Sequence, residues 1–178
     1  MDATRRLTYL SLLTTISLSL FVLEGMLPVP FLAPGAKLGL ANIVTVFVLY
    51  TLSAHDALAV ILVRIVLASL FGGGPTVMLY SLAGGLVSFA SMLALKKAGS
   101  FSFPAGKAGS GFSLPAVSAA GGFFHHVGQL FAALAMTGTP SLFSYLAILG
   151  PIGLATGLVT GFVAAIIRKK LRYSSGVY

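Results

Sequence analysis

Long apolar runs, separated by short breaks of proline, glycine or charged residues, cover most of this chain. Most runs approach the roughly 20 residues that a helix needs to cross a bilayer. The pattern predicts six membrane-spanning helices at residues 7–27, 38–54, 57–71, 76–95, 114–136 and 141–167. Residues 96–113 are rich in Gly, Ser, Ala and Lys, which predicts a flexible linker. We therefore expect an all-α integral membrane protein, a six-transmembrane-helix bundle that forms a single membrane domain over residues 1–178.

The composition excludes a soluble domain, because 57% of the 178 residues are hydrophobic and 8% are charged, against about 25% charged in soluble proteins. A net charge of +8 would fit nucleic-acid binding, but the basic residues stand at the ends of apolar runs. This distribution favours a membrane surface, and no nucleic-acid partner is expected. The chain has no cysteine, which excludes disulfides and thiolate chemistry.

The distribution of lysine and arginine predicts the orientation, since cytoplasmic loops collect these residues. With six spans, both termini and the linker lie on one side of the membrane. That side receives nine of the eleven basic residues, which are Arg5, Arg6, Lys96, Lys97, Lys107, Arg168, Lys169, Lys170 and Arg172. The opposite side receives Lys37, and Arg64 falls inside the third span. We expect cytoplasmic termini in a multi-pass protein of the cell membrane.

The segment between the first two runs predicts a stiff loop at the outer face. Proline fixes φ and lacks an N–H donor, so helix cannot continue through Pro28, Pro30 and Pro34. Such a loop is excluded from hydrocarbon and must lie at the interface or over a cavity. Glu24 and Lys37 bracket the prolines, and we interpret them as ligand or gate residues. The simpler alternative is that each is a hydrated interface residue.

Four polar residues inside the spans are further candidates. Arg64 is predicted to face the bundle interior, since charge at membrane depth is costly. It either pairs with Glu24 or helix carbonyls, or anchors an anionic or carbonyl-bearing ligand. Asn42 makes an interhelical hydrogen bond or a ligand contact. His125 and Gln129 share a helical face and are predicted to line a cavity, with interhelical hydrogen bonding as the alternative.

Small residues mark two helical faces where a neighbouring helix can approach closely in lipid. In the fourth run they are Ser81, Gly84, Gly85 and Ser88. In the first run Ser11, Thr15 and Ser19 follow one another at i+4 spacing and either dock a partner helix or pack within the bundle.

The acidic residues argue against an enzyme. Only Asp2, Glu24 and Asp56 are present, and the predicted topology places Glu24 on the side opposite the other two. Paired-carboxylate and two-metal chemistry need acidic groups that converge on one site. His126 points about 100° away from His125, so the adjacent pair is a poor chelator and no metal or cofactor is expected. No Walker A motif is present.

Several of these residues together resemble the Gx transporter family, also labelled heptaprenyl diphosphate synthase component I. The resemblance spans about residues 20 to 130 and is most specific at residues 37–43. Its elements are Glu24 with Leu27-Pro28, residues 34–43 (PGAKLGLANI), Arg64, residues 81–85 (SLAGG) with Ser88, and Ser118 through His125 to Gly128-Gln129. This chain differs at His126, where the family pattern leads us to expect asparagine.

The resemblance implies a protein similar to the S components of energy-coupling-factor (ECF) transporters of the bacterial plasma membrane. Those proteins bind a vitamin-like molecule near the outer face and dock through their first helix onto a transmembrane coupling protein driven by two ATPases. In that scheme Ser11, Thr15 and Ser19 stand where such components tend to show Ala-x-x-x-Ala. The substrate-binding candidates are Glu24, Lys37, Asn42, Arg64, Tyr80, Ser88, His125 and Gln129.

The leading hypothesis is therefore a substrate-binding subunit of an uptake transporter. The charges of Glu24, Lys37 and Arg64 sum to +1, which favours a small anionic or polar ligand. The alternatives are a non-catalytic membrane component of polyprenyl diphosphate or quinone metabolism, and a membrane part of flavin- or quinone-linked electron transfer. A protein that resembles prenyl synthases would have a helical fold in which two Asp-rich motifs hold Mg²⁺, and this chain has no such motif.

Overall fold

The computed structural model describes residues 2–26, 39–101 and 112–174. Within these residues the chain forms six α-helices, named here α1 to α6. They are α1 (Ala3–Met26), α2 (Asn42–Thr51), α3 (Ala54–Ala68), α4 (Gly74–Phe101), α5 (Leu114–Thr137) and α6 (Leu146–Ser174). A π-helical turn, Ser69–Gly73, joins α3 to α4, and a 3-10 helix, Pro140–Tyr145, precedes α6. Lys37, Lys107 and the three loop prolines lie outside the described residues.

The second predicted helix is wrong in extent. In place of residues 38–54, α2 has 10 residues, which span about 15 Å of a roughly 30 Å hydrocarbon core. Gly39 has φ 85°, a left-handed conformation outside the helical region. Asn42 is therefore the first residue of α2 and does not lie one turn inside a helix.

The predicted linker is also wrong at its beginning, because α4 continues through Lys96 and Lys97 to Phe101. Straight-chain lysines are good helix formers, and the charged pair ends the apolar run without ending the helix. The sixth helix likewise runs to Ser174, beyond the predicted end at residue 167. The fifth helix agrees with the prediction within one residue.

A capping box separates α3 from α2. The Ser53 side chain accepts a hydrogen bond from Asp56 N at 3.2 Å, and the Asp56 carboxylate accepts from Ser53 N at 3.2 Å. These two bonds satisfy donors at the N-terminus of α3. The reciprocal pair explains why a new helix begins at Ala54, only a few residues after α2 ends.

Four helical segments in the described part are long and apolar enough to cross a membrane, namely Ala3–Met26, Ala54–Phe71, Gly74–Gly99 and Pro140–Leu171. α5 has sufficient length but carries His125, His126 and Gln129, which lower its hydropathy. These segments, together with the composition, make the chain a multi-pass helical membrane protein.

Helix α2 lies in the middle of the bundle and packs against each of the other five α-helices. Its side chains are buried on every face, including Val46, Val48 and Leu49. α5 packs extensively between α4 and α6, whereas α1 packs against α2 and α3. α5 thus places its polar residues inside the protein, away from lipid.

The two ends of the bundle differ in charge. At one end Arg6 Nη2 lies 2.7 Å from Asp56 Oδ1 and joins α1 to α3. At the same end Lys96 donates a hydrogen bond to the Leu49 carbonyl and joins α4 to α2. Glu24 lies on α1 about 27 Å along the helix axis from Arg6. We call the first the basic end, and Glu24 belongs to the opposite end.

Candidate functional site

Arg64 lies inside the bundle between three helices. Its residue is 3% exposed, and its guanidinium carbon is 5.8 Å from the centroid of the Phe21 ring on α1. A methyl group built onto Gly85 of α4 would lie 4.0 Å from Arg64 Nη2. Arg64 Nε is buried and has no hydrogen-bond partner among the described residues. A charged group thus reaches the interior with a donor still available.

Glu24 binds the backbone that leads into α2. Its Oε1 accepts a hydrogen bond from Gly39 N at 2.5 Å, and its Oε2 accepts from Leu40 N at 3.1 Å. The residue is 4% exposed, and its charge interacts electrostatically with Arg64. For Glu24 the alternative of a hydrated interface residue is therefore wrong. The backbone contact itself was not predicted from the sequence.

His125 and Gln129 share a helical face, as their spacing predicts, and the structure packs this face against α4. A methyl group built onto Gly84 would lie 2.9 Å from His125 Cε1 and 3.0 Å from Gln129 Cγ. The glycine therefore allows α4 and α5 to approach with two polar side chains between them. This contact is the reason that α4 needs a residue without a side chain here.

His126, to which the sequence assigned no role, packs towards α6. It is 1% exposed, and its Nδ1 lies 3.2 Å from Gln129 Oε1. A methyl group built onto Gly153 of α6 would lie 2.6 Å from His126 Cδ2. Gln129 therefore contacts α4 with its stem while its amide oxygen pairs with His126.

Two buried hydroxyl groups have no hydrogen-bond partner in the part of the chain that the structure describes. They are Ser88 Oγ on α4 and Thr45 Oγ1 on α2, and each residue is 1% exposed. Ser88 faces α5, since a methyl group built onto Gly121 would lie 3.2 Å from its Oγ. Sequence reasoning missed Thr45, although its i+3 spacing from Asn42 places both on one side of α2.

The adjacent glycines Gly84 and Gly85 face different helices. A methyl group on Gly84 would meet His125 and Gln129 of α5, whereas one on Gly85 would meet Ile61 and Ile65 of α3 at 3.3 Å and Arg64 Nη2 at 4.0 Å. We call the two glycines together with Arg64, His125 and Gln129 the α4 cluster. Tyr80 lies one turn before Gly84 and is partly buried.

Asn42 and the α1 stripe have other surroundings, and Lys37 lies outside the described residues. Asn42 is buried near Gly39, where a methyl group would lie 3.2 Å from its Nδ2. Ser11, Thr15 and Ser19 are exposed on the outer face of α1, with Thr15 Oγ1 bonded to the Ser11 carbonyl at 2.9 Å. Among the described residues, no group of three or more His, Cys, Asp or Glu side chains is placed to hold a metal ion.

A comparison with solved structures identifies the fold of the chain. The chain is similar in structure to a solved protein described as "Structure and mechanism of the S component of a bacterial ECF transporter". The TM-score is 0.72 at 19% sequence identity, and the match covers 98% of this chain and 99% of the other. The chain is thus a membrane protein with the fold of an ECF transporter S component.

The family follows from a sequence comparison. The profile of the family described as heptaprenyl diphosphate synthase component I matches residues 13–167. The chain belongs to this family. No significant match was found among curated protein sequences.

Proposed function

We propose that the chain is the substrate-binding membrane subunit of an ECF-type uptake transporter and captures a small anionic or polar molecule. The proposal rests on Arg64, which is buried, charged and retains a donor with no partner among the described residues. An unsatisfied buried donor costs about 1 to 3 kcal/mol, and more when charged. A bound molecule with acceptor oxygens would remove this cost. The S-component fold supports the same reading.

The rest of the α4 cluster complements the guanidinium. His125 and Gln129 pack against Gly84, the residue before Gly85 on α4, and Arg64 Nη2 lies near Gly85. Ser88, one turn further along α4, has a buried hydroxyl with no partner among the described residues. Tyr80 and Asn42 complete the proposed polar lining. In this proposal Glu24 orders the backbone that leads into α2, and Lys37 is a further candidate ligand residue. The site performs binding, and we propose no catalysis.

We expect gently purified wild-type protein to retain a small molecule that the Arg64→Gln variant loses. Glutamine keeps much of the length but removes the charge, and loss of a charge-assisted hydrogen bond is expected to weaken binding by about tenfold or more. Native mass spectrometry measures the bound fraction. Arg5→Gln, at an exposed position, makes the same substitution away from the site and should leave retention unchanged. Equal retention by folded Arg64→Gln protein would contradict the proposal.

We further propose that the chain crosses a bacterial cell membrane six times as one membrane domain, with both termini in the cytoplasm. The support is the basic end, where Arg5, Arg6, Lys96, Lys97 and Arg168 lie at helix termini of one side. Positive charge of this kind favours the cytoplasmic leaflet.

The exposed stripe on α1 is the proposed docking surface for a transmembrane coupling protein that carries two ATPases. Thr15→Phe, in the middle of Ser11, Thr15 and Ser19, is expected to abolish co-purification with these partners, because a bulky ring prevents close helix approach. Ile16→Phe changes a 43% exposed neighbour at the same depth and should leave co-purification intact. Equal recovery of partners with both variants would argue against docking through this stripe.

The family description favours a second candidate, a non-catalytic membrane component associated with polyprenyl diphosphate synthesis. The same co-purification separates the two. Recovery of membrane and ATPase partners supports transport, whereas recovery of a soluble Asp-rich synthase supports the second candidate. The few acidic residues of this chain argue against diphosphate chemistry within the chain itself.

A further inference from the structure

At the basic end, Tyr50 lies beside two cations from different helices. Lys96 Nζ of α4 is 5.1 Å from the centroid of the Tyr50 ring, and Arg168 Cζ of α6 is 5.6 Å from it. Both distances are within the range of cation–π attraction. We call these three residues the Tyr50 cluster. It joins the C-terminal ends of α2, α4 and α6.

The two cations are close enough to repel each other, since the charge of Arg168 acts on Lys96. Carboxylates at this end are engaged elsewhere. Asp56 pairs with Arg6 at 2.7 Å, and Asp2 lies 3.9 Å from Arg5. Lys96 also donates to the Leu49 carbonyl, but neither this carbonyl nor the Tyr50 ring carries a net charge. Glu24, the third acidic side chain of the sequence, belongs to the opposite end, so the cluster carries a local excess of positive charge.

Burial distinguishes these cations from their neighbours. Lys96, Arg168 and Tyr50 are each partly buried where three helices meet, whereas Lys97 and Lys169 are exposed. A phosphate group near the cluster would therefore meet two cations with part of their hydration already removed, one of them held in place by its bond to the Leu49 carbonyl. Basic pockets between transmembrane helices at the membrane surface bind lipid head groups in this way.

We propose that the Tyr50 cluster binds a phosphate oxyanion, supplied by the head group of an anionic phospholipid. The cluster lies at the end of the apolar segments, at the level where head-group phosphates meet a membrane protein. The lipid would tie α2, α4 and α6 together at their C-termini. This site is separate from the α4 cluster and does not depend on the transported molecule.

The test compares two double variants of the full chain that remove the same charge at the same end. Lys96→Gln with Arg168→Gln removes the cluster cations, and Lys97→Gln with Lys169→Gln removes exposed cations one residue away. Each protein in detergent is titrated with phosphatidylglycerol, phosphatidylcholine and inorganic phosphate, and native mass spectrometry measures occupancy. If the first double variant does not fold, Arg168→Gln alone is compared with Lys169→Gln.

We expect the cluster variant to bind phosphatidylglycerol at least about tenfold more weakly than wild type, and the exposed variant to match wild type. Phosphatidylcholine, whose choline cation opposes the cluster, should bind more weakly to wild type. If only binding of inorganic phosphate depends on Lys96 and Arg168, the cluster binds a soluble oxyanion, and the lipid part of the proposal is wrong. An equal loss in both variants, or no loss in either, would overturn the proposal.

Discussion

Gly122→Val is expected to destabilise the folded protein strongly, because the backbones of α5 and α6 are in contact at this position. Even a single added Cβ would lie 2.0 Å from the Gly153 carbonyl oxygen and 3.2 Å from Gly157 Cα. Backbone atoms cannot rotate away as a side chain would, so the helices must separate. We expect a loss of about 3 kcal/mol or more, at the upper end of overpacking effects.

Size-exclusion chromatography and unfolding in dodecyl sulfate measure this effect. Ala135→Val adds volume to the same helix at an exposed position and should retain a sharp elution peak and near wild-type stability. A Gly122→Val protein as stable as Ala135→Val would show that the contact between α5 and α6 is not as close as described.

Glu24→Gln is expected to give the second largest effect, a loss of about 2 kcal/mol in unfolding free energy. The carboxylate accepts hydrogen bonds from Gly39 N and Leu40 N in a buried position, and bonds to a charged group contribute about 1.5 to 3 kcal/mol each. The substitution also leaves Arg64 without the nearby negative charge, which adds to the cost.

A double variant separates these two causes. If Glu24 acts partly through Arg64, then Glu24→Gln combined with Arg64→Met should be less destabilised than the sum of the single changes, because the buried charge is gone. Asp2→Asn removes an exposed carboxylate and should have no measurable effect. Strict additivity of the two changes would mean that Glu24 acts through Gly39 and Leu40 alone.

Hydropathy predicted the bounds of α5 well and those of the central helix α2 poorly. α5 agrees within one residue because Ser113 caps its beginning and Gly138, with φ 64°, ends it. α2 was overestimated because a helix buried among other helices is as apolar as one that faces lipid. Its short length depends on Gly39 and on the capping box of α3, whose signals are local and weaker than the apolar run.

The candidate site was partly visible in the sequence. Arg64, His125 and the pair Gly84-Gly85 stood out as polar or small residues in apolar runs, and the structure places His125 against Gly84 on one face of α4 and Arg64 near Gly85 on the neighbouring face. The pairing of His126 with Gln129 could not be derived, because it depends on α5 lying between α4 and α6.

One available signal was overlooked in the last helix. Gly153, Gly157 and Gly161 repeat at every fourth residue and all contact α5, which is the spacing that permits close helix packing in lipid.

An experimental density map of the full chain, purified gently so that bound molecules are retained, tests the central claim most directly. We predict density that belongs to no protein atom beside Arg64, with acceptor atoms within hydrogen-bond reach of Nε of the guanidinium. A map in which Arg64 Nε bonds to another part of the chain, with no such density beside it, would contradict the account.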